Sequence, residues 1–156
     1  MGTDRRRPHS TDRAKTLLLL LIDSSDKDRK YYADRLKSSI SNCVVLQAKD
    51  GQSGLDLYRS RHVDCLVTEF YLPDMSGFEL LLEVVSHVRR PPVAVVMLTR
   101  TSKPTPADLA KINGAQAFLV KRLSASDELA PTVLKAIATV RPTHKDRRES
   151  DKESRV

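Results

Sequence analysis

Four short apolar runs in this chain stop on a polar or charged side chain, and this recurrence limits the fold more than any other feature. Leu17–Ile22 runs into Asp23-Ser24, and Cys65–Val67, with Val63 just before it, runs through Thr68 into Glu69. Val93–Leu98 meets Thr99, and Ala117–Val120 meets Lys121. Short apolar runs bounded by turn residues fit strands buried on both faces, as in a parallel sheet. A further run, Val44 to Leu46, supplies a fifth strand. The stretch TLLLLLI (16–22) is too short to span a bilayer. Basic residues precede it as in a signal peptide, but Asp23 follows at once and no small-residue cleavage site is present, so a buried first strand is the reading.

Helical patterns separate the runs. Ser25 with Asp28 forms a capping-box-like start, and Tyr32, Leu36 and Ile40 recur at i, i+4, i+8. Asp50-Gly51 turns into a second helix with Leu55 and Tyr58 inward. Ser76 with Glu79 is a capping box that opens a third, whose stripe is Phe78, Leu81, Leu82, Val85 and Val88 before Pro91-Pro92. Thr105-Pro106 opens a fourth, which Asn113-Gly114 stops. Ser124 with Asp127 opens the last, with Leu129, Val133, Ile137 and Val140 buried. Five strands alternating with five helices predict an α/β fold: a doubly wound, five-stranded parallel sheet with helices on both faces. Alternation alone leaves the strand order open.

The third strand leads into FYLPDMSG, with Pro73, Asp74 and Gly77 as turn formers. A carboxylate at the carboxyl end of a buried strand sits where open α/β sheets place their ligands. The pattern acid-x-x-x-Pro-x-Met-x-Gly after such a strand resembles the central motif of response-regulator receiver domains, the chemotaxis-regulator-like family. The resemblance covers about 17–140 and implies the flavodoxin-like strand order 2-1-3-4-5. It also implies site roles. Glu69 stands at the phosphoacceptor position, an aspartate in the family. Asp23, Glu69 and the backbone carbonyl of Tyr71 are the metal-ligand equivalents. Thr99 and Lys121 match the residues that sense the phosphoryl group, and Phe118 matches the switch aromatic.

The chain departs from that pattern at four places. Glu69 replaces the aspartate, and Ser24 replaces a second metal-binding acid, which Asp26 sits too far along to supply. Arg100 follows Thr99 where a small residue usually keeps the pocket open. Arg122 follows Lys121 where a proline is usual. Simpler roles stand beside the implied ones. Asp23 can serve only to start the helix, Thr99 can be a strand-end hydroxyl, and Lys121 can be solvated. Glu69 can be an inert acid or can pair with Lys121, and Phe118 can be a fixed core residue or a moving one. The four histidines, His9, His62, His87 and His144, show no ligand spacing.

Charge decides what the ends do. The net charge of +7 is concentrated at the termini. Residues 1–16 and 141–156 read as charged, disordered tails around a domain at 17–140. A nucleic-acid role for the basic tails is not favoured, because the last tail mixes signs and aromatic residues are few. Cys43 and Cys65 lie in strand-like runs and read as buried free thiols, which suits a cytoplasmic protein.

The resulting expectation is a stand-alone, atypical receiver domain, not an enzyme, that acts by protein–protein interaction without conventional aspartate phosphorylation. It requires no cofactor and binds Mg²⁺ at most weakly. The resemblance places its contacts with a histidine kinase or a downstream signalling protein on the helix 4, strand 5, helix 5 face, about 104–140, and allows a homodimer. The alternative is a working single-domain regulator phosphorylated by a histidine kinase with Mg²⁺. A flavodoxin-type cofactor binder is the remote reading, since IDSSDKD lacks the glycine of a phosphate loop and its acids repel phosphate.

Overall fold

The computed structural model describes residues 15–86, 91–100, 104–121 and 125–141. Ten elements alternate along it: β1 (Leu17–Ile22), α1 (Asp26–Ser39), β2 (Cys43–Ala48), α2 (Gly51–Ser60), β3 (Cys65–Thr68), α3 (Gly77–Val84), β4 (Ala94–Thr99), α4 (Pro104–Ile112), β5 (Ala117–Val120) and α5 (Ala125–Val140). The five strands form one parallel sheet in the order β2-β1-β3-β4-β5. This is the flavodoxin-like arrangement that the resemblance implied.

Leucine alone favours helix, yet the Leu-rich β1 is a strand, because pairing with β2 on one side and β3 on the other satisfies its backbone. The two-residue period of the strands then separates two cores. Leu19 and Leu21, with Cys65, Val67, Val96 and Leu98, face α1 and α5. Leu20 and Ile22, with Leu66, Val95 and Met97, face α2, α3 and α4. Consequently α1 and α3, which follow the adjacent strands β1 and β3, lie on opposite faces, and a crevice opens between the two strand ends.

Most helix ends carry the signals that the sequence predicts. Ser76 and Glu79 form a complete capping box on α3. Gly114, at φ 104, closes α4 with two bonds, Gly114 N–H to Lys111 O (3.2 Å) and Ala115 N–H to Ala110 O (2.9 Å). The α4 start differs: the helix begins at Pro104, whose preset φ suits the first position, so Thr105 lies within the first turn. The third helix is also shorter than expected. It stops at Val84, and Val85 leaves in an extended conformation to pack its side chain beside Gly114. Leu80 and Val84 therefore join Leu81 and Val85 in the core, while Leu82 is exposed. Val88, His87, Arg122, Ser124 and both expected tails, apart from Lys15, Thr16 and Arg141, lie outside the described residues.

The end of the sheet away from the crevice has its own anchor, which sequence reading missed. Asp64 is buried, and one of its oxygens accepts the Leu18 N–H at 2.8 Å. Its other oxygen lies 2.5 Å from an Arg141 nitrogen and 3.6 Å from Lys15 Nζ. One carboxylate thus ties together the residues flanking β1 and α5. Cys43 and Cys65 are free thiols, and burial pushes the Cys65 thiol far up, which makes it unreactive.

Candidate functional site

The crevice between β1 and β3 is an open cleft of about 450 Å³ lined by Asp23, Ser24, Ser25, Glu69, Tyr71, Arg100 and Lys121. Each lining side chain is brought there by a strand end or by the turn beyond it.

Asp23 leaves β1 buried. Its Oδ1 accepts the Ser25 N–H at 2.9 Å, and its Oδ2 lies 2.6 Å from Lys121 Nζ. Glu69 follows β3, and its own N–H donates to Ile22 O at 2.9 Å, which keeps it in step with β1. Its Oε1 accepts from Phe70 N (2.8 Å) and Tyr71 N (3.3 Å), while Oε2 stands 2.8 Å from Lys121 Nζ. Lys121 follows β5, held by a bond from its N–H to Thr99 O at 2.8 Å. Its side chain is only 5% exposed. Thr99 is fully buried at the end of β4 and does not line the cleft.

A third carboxylate, not anticipated from the sequence, completes the cluster. Ser25 caps α1 by accepting the Asp28 N–H at 3.2 Å, but the reciprocal arm of the expected box does not form. The Asp28 carboxylate turns toward the sheet instead. Its Oδ2 lies 3.1 Å from Lys121 Nζ, 3.2 Å from Arg100 Nε and 2.5 Å from Arg100 Nη2. The signal was positional: a residue in the first turn of the helix after β1 lies beside the strand ends, and its side chain can serve the cleft as readily as the cap.

An ammonium has three protons to donate, and Lys121 meets three carboxylates. Burial works against its charge. Hydrogen bonds to Asp23 and Glu69 and their negative charge outweigh burial and hold the ammonium above its ordinary 10.5. For Asp28 burial again opposes the charge, but bonds to Arg100 and Lys121 prevail and hold the carboxyl below its ordinary 3.8. All four oxygens of Asp23 and Glu69 are therefore engaged, two by Lys121 and two by backbone N–H groups. Ser24 is uncharged and exposed. Among the described residues, no group of three or more His, Cys, Asp or Glu is arranged to hold a metal ion.

The loop after Glu69 is built by its own motif. Asp74 accepts from Gly51 N and Gln52 N, both at 2.8 Å, and so caps α2 alongside Asp50. Met75 lies over Gly51, where a Cβ would collide with it. Gly77 donates to Phe70 O at 2.5 Å, and a Cβ there would come within 2.9 Å of Glu69 O. Tyr71 is 57% exposed at the rim, bridged to Ser76. Phe118 is half-buried, and its ring centroid lies 6.5 Å from that of Phe70, the residue next to Glu69.

The geometry describes a doubly wound parallel sheet with a carboxylate-rich site at its switch point. The sequence profile of the response regulator receiver domain matches residues 19–133. The chain is 31% identical over 110 residues to the two-component response regulator ORR11 of Oryza sativa subsp. indica, covering 70% of this chain and 74% of that one. It is 32% identical over 123 residues to the two-component response regulator ARR17 of Arabidopsis thaliana, covering 71% and 79%. In fold it is similar to the response regulator domain of Thermotoga maritima CheB, with a TM-score of 0.70 and 22% identity, over 82% of this chain and all of that one. It is also similar to the chemotaxis response regulator CheY4 of Vibrio cholerae, with a TM-score of 0.64 and 24% identity, over 81% and 100%. The chain belongs to the response regulator receiver domain family. Such domains work with histidine kinases and downstream partners in two-component signalling. No helix among the described residues is long and apolar enough to cross a membrane.

Proposed function

We propose that this chain is an atypical receiver domain that signals through protein–protein contact, without catalysing a reaction and without conventional phosphorylation at the strand-end acid. One observation carries the reading: the Lys121 ammonium is already held by Glu69, Asp23 and Asp28 at 2.8, 2.6 and 3.1 Å. Glutamate is one methylene longer than aspartate, and that reach lets Glu69 stand where an incoming phosphoryl group would meet the lysine. A single carboxylate carries less charge than the ~−1.5 to −2 of a phosphate, so any active-like state that it supports is partial.

The same donor set fits a divalent cation poorly. Its acidic oxygens are spent on Lys121 and on backbone N–H groups, and Ser24 adds no charge. Mg²⁺ offsets charge best through free carboxylate oxygens, so Mg²⁺ binding at Asp23, Glu69 and the Tyr71 carbonyl is weak and the domain needs no cofactor. Thr99 and Phe118 keep their family positions but act without a bound phosphoryl group to sense. The half-buried Phe118 links β5 to the Glu69 loop through Phe70.

Output runs through a protein partner, a histidine kinase or a downstream signalling protein in the cytoplasm. The face formed by α4, β5 and α5 suits that contact, because an open groove there is lined by Lys111, Gln116, Leu119, Thr132 and Lys135. The same face allows a homodimer.

The test is intact-mass spectrometry after incubation with a small phosphodonor and Mg²⁺, with hydroxylamine sensitivity to identify an acyl phosphate. The expected result is no stable phosphoryl adduct. Robust acyl phosphorylation would overturn the reading and establish a working phosphoacceptor instead.

A further inference from the structure

Beside the main cleft lies a second, smaller cavity of about 210 Å³, lined by Asp28, Tyr32, Arg100 and Lys121. Its walls come from α1, the end of β4 and the end of β5. Two of the four residues are cations and a third carries a hydroxyl. Asp28 is the only anion among them, and a single atom, Oδ2, receives Lys121 Nζ, Arg100 Nε and Arg100 Nη2. One oxygen shared between an ammonium and a guanidinium is how a bound oxyanion is held. The Tyr32 hydroxyl stands at the same wall and donates to Lys121 O at 3.4 Å.

We propose that the Asp28 carboxylate is an internal ligand occupying an oxyanion site formed by Lys121 and Arg100 and walled by Tyr32, and that it excludes external phosphate-like anions from that site. The inference concerns regulation of the same cleft and rests on the reading that its cations are satisfied from within. The arrangement has two effects. It lowers the anion affinity of the two cations, because an external oxyanion must displace a tethered one. It also straps Arg100, which follows β4, to the first turn of α1. Asp23 and Glu69 remain on Lys121 when Asp28 is removed, so the uncovered site has both cations but also two acids behind the lysine. Its ligand is therefore a small oxyanion held on the Arg100 side, and its affinity is modest.

The experiment titrates the full chain with inorganic phosphate at constant ionic strength and follows backbone amide shifts by NMR. The wild-type protein is compared with Asp28→Ala and Asp28→Asn. The second variant is a near-isostere that keeps the packing if the alanine variant fails to fold. The expected result is saturable binding in the variants at least about tenfold tighter than in the wild type, a difference of about 1.4 kcal/mol. Adding Arg100→Ala to either variant is expected to abolish the gain. Equal phosphate affinity in the wild type and both variants would overturn the proposal, as would a gain that survives loss of Arg100. The readout is reversible ion binding rather than acyl phosphate, so this inference and the proposed function fail separately.

Discussion

Lys121 Nζ lies 2.8 Å from Glu69 Oε2, and the pair joins the end of β5 to the end of β3 across the intervening β4. Both side chains are almost wholly shielded, at 5% and 8% exposure. Such a pair contributes little net stability relative to an apolar replacement, but losing one member leaves a buried charge uncompensated. Lys121→Met is therefore expected to destabilise the domain by about 3–5 kcal/mol. Glu69→Gln should cost less, because Asp23 and Asp28 still neutralise the lysine. Urea unfolding of the two variants measures both values, and a Lys121→Met cost under about 1 kcal/mol would mean that the cluster behaves as a solvated surface pair.

Glu69 and Ser24 are expected to act together. Glu69→Asp shortens the acid and frees space near Lys121, but leaves the metal position with Asp23 and no second acid from Ser24. Phosphodonor treatment should therefore give little acyl phosphate in the single variant and clearly more in Glu69→Asp with Ser24→Asp. Equal yields from the single and double variants would remove Ser24 from the argument.

The pH dependence follows from Asp28. Its carboxyl is held below 3.8 in the folded chain, so its contribution is fully present above that ordinary value and is lost as pH falls through the lower folded value. The stability gap between wild type and Asp28→Asn should be constant through neutral pH and should shrink only below about pH 4. Lys121 acts at the other end of the scale. Held above 10.5, it contributes fully below that value, and its contribution fades as pH rises through the higher folded value. Denaturant midpoints across the acid and alkaline ranges test both, and a gap for Asp28→Asn that closes near neutrality would contradict the first.

Gly77 is expected to be intolerant of a side chain. A Cβ there would press on Glu69 O at 2.9 Å and on Phe70 Cα at 3.0 Å, both backbone atoms that give way only if the loop moves. Gly77→Ala should destabilise by about 1–3 kcal/mol, although alanine favours helix by about 1 kcal/mol. Amide shifts of Glu69, Phe70 and Tyr71 should change together. A neutral or stabilising effect in thermal unfolding would show that the loop yields freely.

Local pattern determined the elements, and tertiary packing determined the site. The apolar runs from Leu17 and Ala94, the Ser76–Glu79 box and the Gly114 stop were legible because strand period, capping and positive φ act over a few neighbouring residues. Strand order was not in the alternation; it came through the motif around Pro73 and Gly77, and pairing of β1 with both β2 and β3 realises it. The same motif pointed to Asp23, Glu69 and Lys121, and the fold brings the two carboxylates within 2.8 Å of the Lys121 ammonium. Asp28 and Asp74 each carry a second role that local pattern did not show, and for one reason. Each looked local, a cap partner and a turn former, but each bonds across the fold, Asp28 to Lys121 and Arg100, Asp74 to the start of α2. A carboxylate takes the strongest donors within reach, and which donors those are depends on strand ends that lie far apart in the chain and meet only when the sheet closes.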